Sequence, residues 1–157
     1  LELGAGAGQA AVYVAERGCQ IKAMDLSPAN VDRAIARGID AQAGDFTDPD
    51  FNIGVFDGVL AMNSILHVKK DLLPGVLQVI RRSLRAGGIA LIVVWGGFNY
   101  EGTLEEEWTD PPRFFAFYSD DDFAALPTPG FKRVLCDFRK DAIEDEMHPQ
   151  ILVLEAL

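Results

Sequence analysis

The chain has 157 residues, near the size of one domain and long enough to bury about two-thirds of the surface its unfolded form exposes. Apolar residues at 49% and charged residues at 24% are ordinary for a folded globular protein and argue against intrinsic disorder. Fourteen basic against 24 acidic residues give a net charge of −10, which argues against a surface that coats DNA or RNA. The longest apolar run, Ile89 to Trp95, is far short of the roughly 20 residues a membrane span needs and suits a buried strand. Cys19 and Cys136 stand in apolar or strand-like surroundings without metal-ligand spacing, and they read as reduced core residues. No metal site is expected, because the two histidines are far apart and no carboxylate–histidine spacing pairs them on one helix. No signal or transit pattern is visible, which makes a cytoplasmic protein the default expectation.

In chain order, strand-like and helix-like segments alternate, the pattern of a parallel α/β sheet. A stub of strand, Leu1 to Leu3, leads through a glycine-rich turn into a helix over Gln9 to Arg17. A strand over Gln20 to Leu26 precedes a helix capped by Ser27, with Pro28 in its first position, that ends before Gly38. Short and longer strands follow at Asp40 to Ala43 and Val55 to Met62. A long helix is predicted from about Lys70 to Leu84, delayed at its start by Pro74 and stopped by Gly87-Gly88. Strand Ile89 to Trp95 gives way to a Gly- and acid-rich excursion over Gly96 to Pro112. Ser119 caps a short helix, with Asp120, Asp121 and Asp122 in its first turn, that ends near Leu126. Strands Phe131 to Arg139 and Gln150 to Ala156, joined by an acidic loop, read as a hairpin.

The opening LELGAGAGQAAVYVAERG places Gly4, Gly6 and Gly8 between a strand and a helix. Glycine tolerates positive φ and lets a ligand approach the backbone, and the helix N-terminus offers unpaired N–H groups. About 20 residues on, the second strand ends in Asp25, a carboxylate suited to accept hydrogen bonds from a ribose diol. The two features together point to nucleoside binding. From Gly6 onward the glycines also satisfy the dinucleotide fingerprint G-x-G-x-x-A, ending at Ala11. Glu2 argues against a pyrophosphate, which it would repel; an acid there suits a ligand carrying an amino group and a positive sulfonium.

ELGAGAG, AMDLSPANVDRA, AGDFTD, FDGVLAMNSILHV, LRAGGIALIVVW, GFKRVLCDF and ILVLEAL, in this order and spacing, resemble the motifs of the class I, Rossmann-like, S-adenosylmethionine-dependent methyltransferases. The resemblance covers nearly the whole chain. It implies an α/β fold: a doubly wound, mostly parallel sheet ending in an antiparallel β-hairpin, forming one cofactor-binding domain over residues 1–157. It further implies S-adenosylmethionine as cofactor and S-adenosylhomocysteine as product. Gly4, Gly6 and Gly8 would wrap the methionine moiety with Glu2 near its amino group. Asp25 would bind the ribose and Leu26 pack on the adenine; Asp45 would accept from the adenine amine with Phe46 beside the ring; Asn63 would line the floor near the sulfonium. The family carries further strand residues and closing helices before the acidic motif. The sequence opens at Leu1 directly on that motif, and it reads as a fragment or as a chain with an N-terminal stretch left out.

Three places on the ligand-binding face suit the methyl acceptor. His67 follows the fourth strand, with an ordinary pKa that fits base work near neutrality, or a bland role holding its loop. Arg113, Phe114 and Tyr118 lie in PPRFFAFYS, where an Arg among aromatics suits an anionic or planar substrate. His148 belongs to the loop EDEMHPQ, where a solvated histidine is the plainer reading. His67 and Tyr118 are thus the catalytic candidates, and Arg113, Phe114 and His148 the substrate-binding ones. Asn63 is followed by Ser64-Ile65-Leu66, so the D/N-P-P-aromatic tetrapeptide of enzymes that methylate planar amino nitrogens is missing. The acid-rich LEEEWTD, with Trp108, reads as a solubilising insertion. The expected partner is a small-molecule acceptor, with no DNA, no membrane, and RNA disfavoured by the charge. Two rival readings stand beside it: a cofactor-binding module without catalysis, and a nicotinamide-dependent oxidoreductase.

Overall fold

The computed structural model describes residues 1–104, 109–140 and 147–157. Trp108 and the acidic loop over 141–146 lie outside the described residues. Strand β1 (Glu2–Leu3) passes through the glycine turn into helix α1 (Gln9–Ala15). Strand β2 (Lys22–Asp25), helix α2 (Pro28–Ala36) and strand β3 (Asp40–Ala43) follow, then β4 (Phe56–Met62) and helix α3 (Leu73–Arg82). Next come β5 (Leu84–Gly96), β6 (Tyr100–Thr103), β7 (Phe114–Phe117), helix α4 (Asp120–Ala124), β8 (Phe131–Phe138) and β9 (His148–Ala156).

Seven strands form one sheet in the order β3-β2-β1-β4-β5-β9-β8. The pairs from β3 to β5 are parallel, and β9 runs antiparallel to both neighbours, so the sheet ends in the expected hairpin. Strand order reverses between β1 and β4. In open α/β sheets the crevice above such a reversal, at the carboxyl ends of the strands, is where ligands bind.

Spacing explains the layers. Leu73, Val76, Leu77 and Ile80 recur on one face of α3 at helical intervals, and all are buried. They join the core with Ala90, Ile92 and Val94, alternate residues of β5, and Leu152 and Leu154 of β9. A smaller cluster of Ala11, Ala23, Ala34 and Ile39 packs α1 and α2 on the sheet through small side chains, which allow close approach.

Four expectations need correction. Helix α3 ends at Arg82, and Gly87-Gly88 lies inside β5, where the register with β4 shifts between Phe56 and Gly58. Leu84 has already joined the sheet opposite Phe56. A Cβ on Gly88 would sit 2.9 Å from the Arg85 carbonyl, so the glycines serve this irregularity and not a helix stop. Second, the excursion after β5 contains β6, which pairs antiparallel with β7 in a separate two-stranded sheet. Third, Cys19 is exposed. Fourth, His148 is no loop residue: it opens β9 opposite Gly96 and is 5% exposed.

Candidate active site

The glycine turn leaves β1 with three left-handed residues: φ is +71° at Gly4, +54° at Gly6 and +78° at Gly8. Space separates their roles. A Cβ on Gly4 would fall 2.3 Å from Ser64 Cβ, and one on Gly8 would fall 3.0 Å from Ala34 Cβ. On Gly6 a Cβ would meet nothing within 4 Å, so this residue faces open space.

Asp25, at the carboxyl end of β2, holds the turn from the other side. Its Oδ2 accepts the Gly6 N–H at 2.7 Å, and its Oδ1 accepts the Ser27 N–H at 2.9 Å and the Asn30 Nδ2 at 3.1 Å. Ser27 occupies the expected cap position of α2, but its side chain makes no capping bond. Beyond Asp25, Leu26 presents an apolar side chain that is 72% exposed, far above the usual fate of a leucine. The Gly44 N–H donates to the Asp25 carbonyl at 3.1 Å and brings the turn after β3 alongside. There Asp45 closes a local turn, its Oδ1 accepting the Thr47 N–H at 2.8 Å and the Thr47 hydroxyl at 2.6 Å. Phe46 packs half-buried against the core.

At the end of β4, Asn63 is the one non-glycine with positive φ (52°) among the described residues, its N–H donating to the Val93 carbonyl at 2.8 Å. Such strain persists only where the surrounding structure enforces it, and it gathers at functional sites. Two buried oxygens beside the same turn have no hydrogen-bond partner among the described residues: Glu2 Oε2 and Ser64 Oγ. Burial pushes the Glu2 carboxyl up to about 7, with Asp25 adding to the shift against the Ala11 N–H.

The acceptor candidates divide. His67 closes a short 3-10 turn, Ile65–His67, and its Nδ1 lies 2.8 Å from the Phe114 carbonyl. A carbonyl only accepts, so Nδ1 carries a proton and donates to it. The ring meets Phe115 edge-on at 4.8 Å, and the Arg113 guanidinium lies 5.3 Å from the same Phe115 ring. His67, Arg113 and Phe114 are therefore neighbours. Tyr118 instead enters the core, 7% exposed, near Phe123 and under Lys70 Nζ, which stands 4.6 Å from its ring centroid. Burial, with Glu101 adding, pushes its phenol up to about 12, outside the range of a base near neutrality. His148 Nε2 donates to Asp120 Oδ1 at 2.8 Å, inside a network with Lys140 and Gln150.

Sequence reasoning passed over Ser64, Asn30 and Asp120. Asn30 had a signal, standing three residues after the cap position Ser27; Asp120 was hidden by its plain role in a helix's first turn. Size alone also misleads. A groove of about 1000 Å³ lies at the opposite ends of the strands beneath Leu1, lined by Ile21, Phe56, Val59 and Leu91 among others, and it holds none of the candidate site residues.

A methyltransferase domain family matches residues 1–92. Among curated proteins none matches the chain significantly. Solved structures share the fold. An S-adenosylmethionine-dependent methyltransferase from Methanosarcina mazei is 11% identical with a TM-score of 0.83, over 99% of this chain and 91% of that one. The 1,6-didemethyltoxoflavin-N1-methyltransferase of Burkholderia thailandensis, solved with its substrate and S-adenosylhomocysteine, is 20% identical with a TM-score of 0.77, over 99% and 69%. The [4+2]-cyclase SpnF is 17% identical with a TM-score of 0.73, over 99% and 74%. With a family match over more than half of its length, the chain belongs to the methyltransferase domain family, as a class I Rossmann-like member with S-adenosylmethionine as its cofactor.

Proposed function

We propose that this protein transfers the methyl group of S-adenosylmethionine to an oxygen, nitrogen or carbon atom of a small-molecule acceptor by direct displacement. The observation that carries the reading is the meeting, at the β1–β4 reversal, of the glycine turn, Asp25 and the strained Asn63, with His67 one short turn further on. The site fits the cofactor in three respects. Gly6 faces open space, Leu26 offers an apolar ledge beside Asp25, and Glu2 and Ser64 hold unpartnered oxygens at the turn.

When bound, the cofactor supplies an electrophilic methyl carbon on a positive sulfonium. In this reading the glycine turn, with Glu2, holds the amino-acid end. The Asp25 carboxylate, already oriented by Gly6, Ser27 and Asn30, keeps a lone pair on Oδ2 for the ribose. Asp45, Phe46 and Leu26 surround the adenine, and Asn63 forms the floor near the sulfonium. Because displacement depends chiefly on alignment, the protein's main work is to position the acceptor. His67, beside Arg113 and Phe114, takes the acceptor proton where one must leave, and Arg113 and Phe114 border the acceptor. His148 and Tyr118 support this region from inside the fold.

The same proposal treats residues 1–157 as one cofactor-binding domain and places it in the cytoplasm. No described helix is long and apolar enough to cross a membrane, and no group of described residues forms a metal cluster. The charge of −10 disfavours nucleic-acid acceptors.

A second reading, cofactor binding without methyl transfer, is favoured by one finding: a chain of this fold is a [4+2]-cyclase. Incubation with methyl-labelled S-adenosylmethionine and a fractionated metabolite extract separates the two. Label in a low-mass product supports transfer. Binding of S-adenosylhomocysteine with no labelled product from any fraction supports the second.

A further inference from the structure

Ser64 stands between the strained Asn63 and the 3-10 turn that carries His67, and it is 7% exposed. Its side chain packs along the glycine turn. The point where a Gly4 Cβ would stand is 2.3 Å from Ser64 Cβ and 3.2 Å from Ser64 Oγ. That hydroxyl is both buried and without a hydrogen-bond partner among the described residues. Buried polar groups are nearly always paired, and a hydroxyl left alone destabilises a fold. Alanine would fill the same space without that penalty. Ser64 shares its condition with Glu2, the other buried residue beside this turn with an unpaired oxygen.

We propose that Ser64 is a cofactor-binding residue whose hydroxyl hydrogen-bonds the amino-acid end of S-adenosylmethionine, completing with Glu2 a polar clamp around the glycine turn. The inference rests on the cofactor assignment and adds to it a residue and a contact. The hydroxyl oxygen is closed off from solvent in the ligand-free fold, so the proposed contact requires the side chain to turn about its one rotatable bond toward the amino-acid end. A serine kept for a ligand weakens the empty protein slightly, whereas a serine kept for the fold strengthens it.

This contrast gives the experiment. Ser64→Ala and the wild type are titrated calorimetrically with S-adenosylhomocysteine and with 5′-methylthioadenosine, which lacks the amino-acid end, and both are unfolded thermally without ligand. The expected result is roughly tenfold weaker binding of S-adenosylhomocysteine by the variant, the loss of one hydrogen bond to a charged group. Binding of 5′-methylthioadenosine should stay within about twofold, and the ligand-free midpoint should be equal or higher. Equal affinity of both proteins for S-adenosylhomocysteine overturns the role of Ser64 while leaving the cofactor in place. Equal losses for both ligands, with a lower midpoint, overturn it in favour of a structural serine. Failure of the wild type to bind S-adenosylhomocysteine overturns the cofactor assignment together with this inference.

Discussion

The two halves of the sheet differ in how far they pair their buried polar groups. Around β1, β2 and β4, Glu2 and Ser64 keep oxygens without partners, Asn63 is strained, and Leu26 is exposed. Around β9 and α4, the Asp120 carboxylate accepts from His148 and Gln150 at 2.8 and 2.9 Å, and its Oδ2 pairs with Lys140 at 2.6 Å. The Gln150 amide nitrogen is bonded twice, to Asp120 and to the Tyr118 carbonyl, and only its Oε1, packed against Gly96, lacks a partner. One half is incomplete in a way a ligand remedies. The other pairs its charged groups and leaves only that one amide oxygen unpaired, and it fixes α4 and the end of β7 to the hairpin.

Substitutions on each side test this contrast, and Gly4→Ala should have the largest effect. It combines a left-handed residue with a 2.3 Å clash against Ser64, each roughly 1–3 kcal/mol. Urea unfolding should show a loss of about 3 kcal/mol or more, with binding of S-adenosylhomocysteine abolished. Gly6→Ala, strained but unobstructed, should lose only about 1 kcal/mol of stability. Equal losses at the two positions would contradict the distinction.

Glu2 comes next. Its carboxyl titrates near 4.5 in the unfolded chain and about 7 in the fold, so the unfolded state sheds its proton first as pH rises. The ligand-free protein should therefore lose up to about 3 kcal/mol between pH 4.5 and 7 through this group, a loss absent from Glu2→Gln. Binding runs the other way. Affinity for S-adenosylhomocysteine should rise through pH 7 in the wild type, as the carboxylate forms opposite the ligand's ammonium, and stay flat in Glu2→Gln. A flat wild-type profile would remove Glu2 from the amino-acid subsite.

On the β9 side, burial opposes ionisation of Asp120, but hydrogen bonds from Lys140, Gln150 and His148 outweigh it and hold the carboxyl at about 2. Asp120→Asn should lower stability by roughly 2 kcal/mol at pH 7 and leave affinity for S-adenosylhomocysteine within twofold. A large loss of affinity would mean that the halves are coupled. The smallest effect belongs to the exposed Arg85–Asp57 pair at 2.5 Å: Asp57→Asn should cost less than about 1 kcal/mol and change no binding.

The cofactor half was the more legible in the sequence because its chemistry is local. A glycine turn, a strand end and an acid about 20 residues on lie in one βαβ unit, and backbone geometry dictates the glycines. The β6–β7 sheet escaped notice because its strands have four residues each and pair across a long interruption, so neither carries a pattern alone. His148 was misplaced for a related reason. A lone histidine beside a proline and an acidic run looks solvated until Asp120, 28 residues earlier, is brought within 2.8 Å. Ser64 gave no signal, since an unpaired hydroxyl is a property of its surroundings and not of its type.

Calorimetric titration of the protein with S-adenosylhomocysteine, beside NAD and NADP, tests the central claim most directly. The account predicts one site that S-adenosylhomocysteine fills and neither nucleotide does, with a matching rise in unfolding midpoint. A cooperatively folded protein that ignores S-adenosylhomocysteine, or binds a nicotinamide dinucleotide in its place, would contradict it.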